Sequence, residues 1–461
     1  MWRTIHLLTA GALVAALAPA ALAPQPAEAV PGLTPLPRLE SVTPAGKQYG
    51  ALQEIGTGRK FLPRGANYVR LTETPTAHHS TFEPGRYTNA EAEQTLARLH
   101  QDGYNAVRVF IDHGNVTDAD THKKPHGIGR GMTDTTPYYG PYLDNVASFV
   151  KLATKYQIRV MFSLDLFPQS RYYYDLVGNV DRKAVNMDGR NLNYLHPTYV
   201  LAKSTYLKNF TAGLKERVGA DLMSTVLAIQ SDNEAYVVGD KAPYNKLSGK
   251  VTPLNGVTYD MADPTQRQQS ADAAFVEYAN RMVDAVHAID PAALVTMGVF
   301  TFGAVHKPGP RGMPFYCTTA PCPAGDYRYP ARPRSLTAWS RLSFLDVHIY
   351  PANKPGINDP YTLARNLETI EWSTVKGTVI IGEFGADKAF YQNNLTVAAA
   401  RMRELQVGSC LRGFSGWLFW TSNVGDSETL RTLYSLYEGN ETINAQLKPT
   451  ARPDPCKHTA S

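Results

Sequence analysis

Thr225 to Tyr236 reads TVLAIQSDNEAY. Val226, Leu227, Ala228 and Ile229 form an apolar run without alternation, the pattern of a strand covered on both faces inside a parallel sheet. The run stops at Asp232, Asn233 and Glu234, so polar residues fall at the carboxyl end of the strand, where such sheets keep their chemistry. Thr378 to Gly385, TVIIGEFG, repeats the design: Val379, Ile380 and Ile381 are followed by Gly382 and Glu383. Two buried strands thus each end in a carboxylate.

Working outward, six more stretches have the same character: Phe61–Leu71, Tyr104–Asp112, Ile158–Leu166, Ala293–Phe300, Leu345–Tyr350 and Gly413–Trp420. Between them lie amphipathic segments of helical length, over Asn89–His100, Pro141–Tyr156, Val200–Val218, Ala271–Ile289, Tyr361–Trp372 and Leu395–Leu405. Eight strands alternating with helices predict a parallel α/β sheet closed into a (β/α)8 TIM barrel. An open doubly wound sheet is the competitor, and the first strand is followed by no G-x-G-x-x-G. The surplus length falls after strands, at His113–Tyr139, Phe167–Tyr194, Val237–Gln266 and Thr301–Arg334, which puts long βα loops on the active-site face. Tyr138, Tyr139 and Tyr172 to Tyr174 cluster in these loops, with Phe167 nearby, either as flat surfaces for sugar rings or as a packed loop core. Ahead of the barrel, Val30–Ala45 is proline-rich and reads as a surface stretch, and Ala51–Ile55 with Lys60–Leu62 reads as a hairpin around Gly56-Thr57-Gly58.

The 461 residues carry a net charge of +5 and 19% charged side chains, with no basic cluster of the kind that follows phosphates, so nucleic acid is not an expected partner. Residues 1–29 have Arg3 ahead of a short apolar run broken by Pro19, and Ala27-Glu28-Ala29 fits a cleavage site. This predicts a secretory signal peptide, a secreted extracellular protein without stable membrane insertion after cleavage, and a single catalytic domain over 30–461, expected to be monomeric. In an oxidising compartment the four cysteines are expected to pair. Cys317 with Cys322 would close a tight loop around Pro321, and Cys410 with Cys456 would tether the C-terminal tail. No C-x-x-C spacing points to a metal, and neither a metal nor a cofactor is expected.

Two carboxylates brought together at one end of a barrel suit glycoside hydrolysis, in which an acid protonates the departing oxygen and a second carboxylate attacks the anomeric carbon. The pattern resembles the (β/α)8-barrel clan of retaining glycoside hydrolases, most nearly glycoside hydrolase family 5, the cellulase and mannanase family. By that resemblance Glu234, at the end of the fourth strand, is the acid/base, and Glu383, in the GEFG of the seventh, is the nucleophile. Asn233 binds the sugar hydroxyl beside the anomeric centre, and Arg108 hydrogen-bonds the nucleophile. His348 and Tyr350 match the strand-six His-x-Tyr whose tyrosine touches that carboxylate, and Trp420 is the strand-eight sugar platform. His113, after Asp112, is a candidate lining residue of the donor subsite. The sequence departs from the family pattern at Ala235, where many members have proline, and at Asp165, where strand three would end in histidine. A cation and a phenol near Glu383 are expected to keep it ionised, with Glu234 in the drier, more anionic setting. A carbohydrate substrate is expected; the alternatives are a catalytically inactive, carbohydrate-binding barrel, against which the presence of both glutamates speaks, and a metal-dependent barrel hydrolase of another chemistry.

Overall fold

Each apolar stretch is a strand in the computed structural model, which describes residues 32–71, 79–114, 126–310, 312–313, 324–350, 363–422 and 432–457. The leader expected over 1–29 and the expected Cys317–Cys322 pairing lie outside the described residues. The barrel strands are β1 (Arg64–Asn67), β2 (Ala106–Phe110), β3 (Arg159–Ser163), β4 (Val226–Gln230), β5 (Val295–Thr296 with Gly298–Phe300), β6 (Leu345–His348), β7 (Val379–Phe384) and β8 (Trp417–Phe419). All neighbours pair in parallel. β5 is interrupted at Met297; its first piece pairs with β4 and its second with β6, and the ring closes through that break. The fold is a (β/α)8 barrel.

The helices outside are α1 (Asn89–Gln101), α2 (Gly140–Lys155), α3 (Pro197–Val218), α4 (Pro264–His287), α5 (Pro333–Trp339), α6 (Leu363–Thr369), α7 (Leu395–Cys410) and α8 (Glu438–Leu447). Their starts follow capping chemistry: Thr88, Asp263 and Asn394 accept backbone N–H bonds from the first turns of α1, α4 and α7. Proline occupies the first positions of α3, α4 and α5, where no N–H is needed. α5 and α8 have no counterpart in the sequence reading. α5 is only seven residues long, and the first turn of α8 is interrupted by Gly439, Asn440 and Glu441 in left-handed conformation.

Two apolar clusters make the core. One lies between barrel and helices and takes Val107, Val109, Val160, Phe162, Ile229, Val347, Ile381, Phe384 and Phe419 from the strands. The other fills the barrel and takes Ala106, Met161, Ala228, Ile380 and Leu418. β2, β3 and β8 therefore alternate between the barrel axis and the helices, as a pleated strand does, whereas β4 turns both Leu227 and Ala228 inward at a register shift against β3. Leu39 and Leu52 also belong to the inner cluster. They come from a three-stranded antiparallel sheet, Leu39–Val42 against Ala51–Glu54 against Lys60–Phe61, which precedes β1 and plugs that end of the barrel. Part of the proline-rich stretch expected on the surface is thus a strand, because Leu39 finds an apolar partner that local composition does not reveal.

One more expectation is corrected, and one alternative left open by the sequence is decided. The regular ladder of β4 stops at Gln230, four residues before Glu234. The tyrosine cluster is mainly packing: Tyr173 is fully buried, stands edge-on to Tyr206 of α3 at 5.9 Å, and donates to the Pro137 carbonyl at 2.8 Å. Cys410, at the end of α7, is bonded to Cys456, with Cα atoms 5.2 Å apart, so the C-terminal segment is tethered as expected. Among the described residues no helix is long and apolar enough to cross a membrane.

Candidate active site

At the carboxyl end of the barrel, inward-facing polar residues from successive strands form one connected layer. Arg108 of β2 has no solvent exposure. Its Nε and Nη2 donate to Oε1 of Gln230 on β4 at 2.9 and 2.7 Å, and its Nη1 donates to Oδ1 of Asn67 on β1 at 2.9 Å. Nη2 also donates to Ser163 Oγ (3.2 Å) and Asn233 Oδ1 (2.6 Å), and Nη1 to Glu383 Oε1 at 2.5 Å. Gln230 passes the chain on, its Nε2 donating to Oδ2 of Asp346 on β6 at 2.5 Å. Arg108, Gln230 and Asp346 come from alternate strands, as one interior layer of such a barrel requires.

Glu383 reaches this layer because β7 is bulged. Ile380 faces the barrel axis while Ile381 and Phe384 face the helices, so strict alternation would turn residue 383 outward. Instead β7 places one more residue than its neighbours on both sides: Asp346 and His348 pair with Ile380 and Glu383, and Trp417 and Phe419 pair with Ile381 and Phe384. An extra residue of this kind re-aims the side chain that follows it. Gly382 occupies the bulge, its N–H donating to Asp346 Oδ1 (2.6 Å) and its carbonyl accepting from Asn67 Nδ2 (2.9 Å). A Cβ on Gly382 would lie 2.0 Å from Asp346 Oδ2, which leaves glycine as the only residue for the position.

Glu234 arrives by another irregularity. Beyond β4, the Gly298 N–H donates to Asp232 O and the Ala235 N–H donates to Gly298 O, both at 2.9 Å, so Asn233 and Glu234 bow out between two bonds to one residue. A Cβ on Gly298 would lie 1.8 Å from Asn233 O. Arg190 Nη2 supports the bow, donating to Glu234 O (3.2 Å) and Asp232 Oδ1 (3.3 Å).

The result brings the two glutamates together. One oxygen of Glu234, one of Glu383 and a ring nitrogen of His348 all lie within 4.8 Å of one another. His348 Nδ1 is 3.0 Å from Glu234 Oε1 and 3.5 Å from Glu383 Oε2, while its Nε2 is 3.5 Å from Asp346 Oδ2. Tyr350 donates its hydroxyl to Glu383 Oε2 at 3.0 Å. Trp420 is half-buried at the end of β8, edge-on to Phe110 at 5.7 Å. Arg108, Asn233, Glu234, His348, Tyr350 and Glu383 therefore converge as the sequence reading expects. His113 takes part in none of these hydrogen bonds; burial pushes its imidazole down against the pull of Asp112 and Asp165, with Lys203 and His126 adding to the push.

The expected electrostatics are reversed in one respect. The Glu383 side chain is 8% exposed and that of Glu234 26%, so the drier carboxyl is Glu383. Burial pushes the Glu383 carboxyl up, against the opposing pull of His348 and Arg108. Burial would push the His348 imidazole down, but Glu383, Asp346 and Glu234 outweigh it and bring it to about 10. The ring is then an imidazolium, with Glu383 as the strongest of the charges that hold its proton. Glu234, His348 and Glu383 are also the one group among the described residues that could surround a metal ion. The Arg108 guanidinium already places one positive charge beside Glu383.

A raised histidine binds its proton more tightly in the folded than in the unfolded chain. Its contribution to stability is complete below the ordinary value of about 6.5 and is lost as pH rises towards about 10. The urea midpoint of the protein is expected to fall between pH 7 and pH 10, and His348→Gln is expected to flatten that decline. An equal decline in both proteins would show that the imidazolium is not the cause.

Asp165 and Asp232, the rival acids of the sequence reading, belong to a neighbouring ionic cluster. Asp232 accepts from Tyr194 OH at 2.8 Å and from Arg190, which lies 3.6 Å from Asp165. Burial and then the adjacent Asp165 push Asp232 up. The sequence reading missed Asn67, Gln230, Asp346 and Arg190. For Gln230 a signal was present: it ends the otherwise apolar strand VLAIQ, and a polar side chain there requires polar partners in a buried barrel.

Fold and site together define a (β/α)8-barrel protein with paired glutamates at the carboxyl end of its strands. No family model and no curated protein sequence matches the chain. Among solved structures it is similar to the endo-1,4-β-mannanase from Rhizomucor miehei, at 13% identity and TM-score 0.54, covering 91% of this chain and 100% of that one. It is similar also to the hyperthermostable endo-1,4-β-D-mannanase from Thermotoga petrophila RKU-1, at 14% identity and TM-score 0.50, covering 85% and 99%. The exo-β-1,4-mannosidase Op5Man5 from Opitutaceae bacterium strain TAV5 gives 17% identity and TM-score 0.46; the match covers 87% of this chain and 58% of that one. At these identities the likeness shows a shared barrel fold.

Proposed function

We propose that this chain is a secreted glycoside hydrolase that cleaves its carbohydrate substrate with net retention, with Glu383 as nucleophile and Glu234 as acid/base. The observation that carries this reading is the approach of the two carboxylates to within 4.8 Å. Retaining enzymes hold theirs about 5–5.5 Å apart, whereas inverting enzymes leave about 6.5–9.5 Å for a water molecule. In the first step a Glu383 oxygen bonds to the anomeric carbon, the glycosidic bond breaks, and its electron pair takes the proton of Glu234. In the second, water gives a proton to Glu234 and bonds to the same carbon, and the Glu383 carboxylate departs. Arg108 and Tyr350, one on each oxygen of Glu383, orient it for attack. Asn233 spends its amide oxygen on Arg108, which leaves its NH2 for a sugar hydroxyl. A sugar seated over Glu234 displaces the water that reaches it, and Trp420 offers a ring at the cleft wall. Secretion rests on the leader-like composition of residues 1–29.

The names of the two fold neighbours make β-1,4-mannan the substrate to try first. Proton NMR of an early digest is expected to show the β-anomer of the new reducing end before mutarotation. The α-anomer appearing first would rule out double displacement. Absence of new reducing ends from mannan, glucan, galactan and arabinan, and from a panel of aryl glycosides, would rule out the hydrolase reading.

A further inference from the structure

A second concavity lies on the flank of the barrel, between the first half of α4, the whole of α5, and the loop around Asn255 before α4. Its volume is about 640 Å³, within the range of small-molecule sites. Trp339, the last residue of α5, lines it and is 62% exposed. Among the described residues it is the only aromatic ring in the group of strongly exposed large apolar side chains. The charged lining residues balance: Arg332 and Arg334 against Asp272 and Glu277. Asn255 and Gln269 add amides, each both donor and acceptor.

The polar floor is already organised. Asp272 is buried, accepting from Gln268 Nε2 at 3.0 Å on one oxygen and from Arg332 Nη1 at 2.9 Å on the other. The Ala331 N–H, next to Arg332, donates to the carbonyl of Ala235, the residue after Glu234, at 2.9 Å. The strand end that leads into the lining residue Arg332 is therefore hydrogen-bonded to the segment that carries the proposed acid.

We propose that this concavity is a second carbohydrate-binding site, which holds a neutral polysaccharide chain apart from the catalytic cleft. A flat indole offers an apolar plate to the C–H face of a pyranose, and mixed donors and acceptors answer hydroxyls that both donate and accept. Zero net charge on the lining gives an acidic polymer no net electrostatic attraction, so the site suits a neutral one. The choice of a sugar as ligand rests on the glycosidase reading above, but the site is tested without turnover.

Affinity electrophoresis through gels containing soluble galactomannan, glucomannan or xylan measures retention directly. The Glu383→Gln chain is used so that the polymer stays whole. Adding Trp339→Ala is expected to weaken retention by roughly five- to tenfold, and Trp339→Phe, which keeps a ring, to restore most of it. The ring is exposed, so the thermal midpoints of these variants should match that of the parent. Retention unchanged by Trp339→Ala, or no retention of the parent in any of the three gels, would overturn the site. Trp339-dependent retention in a chain that hydrolyses nothing would sustain this site while refuting the catalytic reading.

Discussion

Glu383→Gln is expected to lower kcat by roughly four orders of magnitude, which corresponds to about 5.5 kcal/mol of lost transition-state stabilisation. The amide has no ionised oxygen to bond with the anomeric carbon, and the first step has no substitute pathway within the barrel. Folding should survive, because the amide oxygen can still accept from Arg108, and the Arg108 charge keeps Asp346 at 3.8 Å. A slow covalent substrate, such as an activated 2-deoxy-2-fluoro glycoside, is expected to add one sugar mass to the wild-type chain at Glu383 and none to the variant. A label on Asp165, Asp232 or Glu234, or a variant retaining more than about a hundredth of wild-type turnover, would end the assignment.

Arg108→Met is expected to cost about 3–5 kcal/mol of folding stability, the range for removing one partner of a buried ion pair. Methionine matches the length of the side chain but leaves Glu383 and Asp346 with only the His348 imidazolium, 3.5 Å from each, in place of two buried cations. Asn67, Gln230 and Asn233 lose their donor as well. Against a typical total of about 5–15 kcal/mol, such a loss brings the protein close to its unfolding threshold. Arg108→Lys keeps the charge but cannot serve these acceptors with one ammonium group, so it should fall between the two. Urea unfolding of the three proteins reads this ranking. A cost below about 1 kcal/mol for Arg108→Met would mean that the polar layer does not hold Glu383 in place. In the folded fraction kcat should also fall, since Glu383 would keep only Tyr350 as a fixed donor.

The strands were legible because a barrel strand is buried on both faces. Runs such as VLAI at 226–229 and VII at 379–381 have no other economical reading once helices separate them. The two glutamates were legible for the same reason, as charged residues at the ends of such runs, and the resemblance supplied Arg108 and Tyr350 as partners. The short α5 was not legible, since PRSLTAW has only Leu336 and Trp339 as large apolar residues, too few to show a helical period. The electrostatic setting was misjudged, because the relative dryness of Glu234 and Glu383 depends on how far each stands above the barrel floor.

Local pattern was thus enough for eight strands, their direction and the place of the acids along the chain. It could not show that Glu383 faces inward, because alternation from Ile380 points residue 383 towards the helices. That reversal comes from the bulge at Gly382, where the Asp346 carboxylate of the adjoining strand occupies the space a side chain would need. Asp346 is 36 positions away along the chain and becomes a neighbour only when β6 and β7 pair. Which way a catalytic side chain points is therefore set by contacts between strands, and periodicity within one strand carries no record of them.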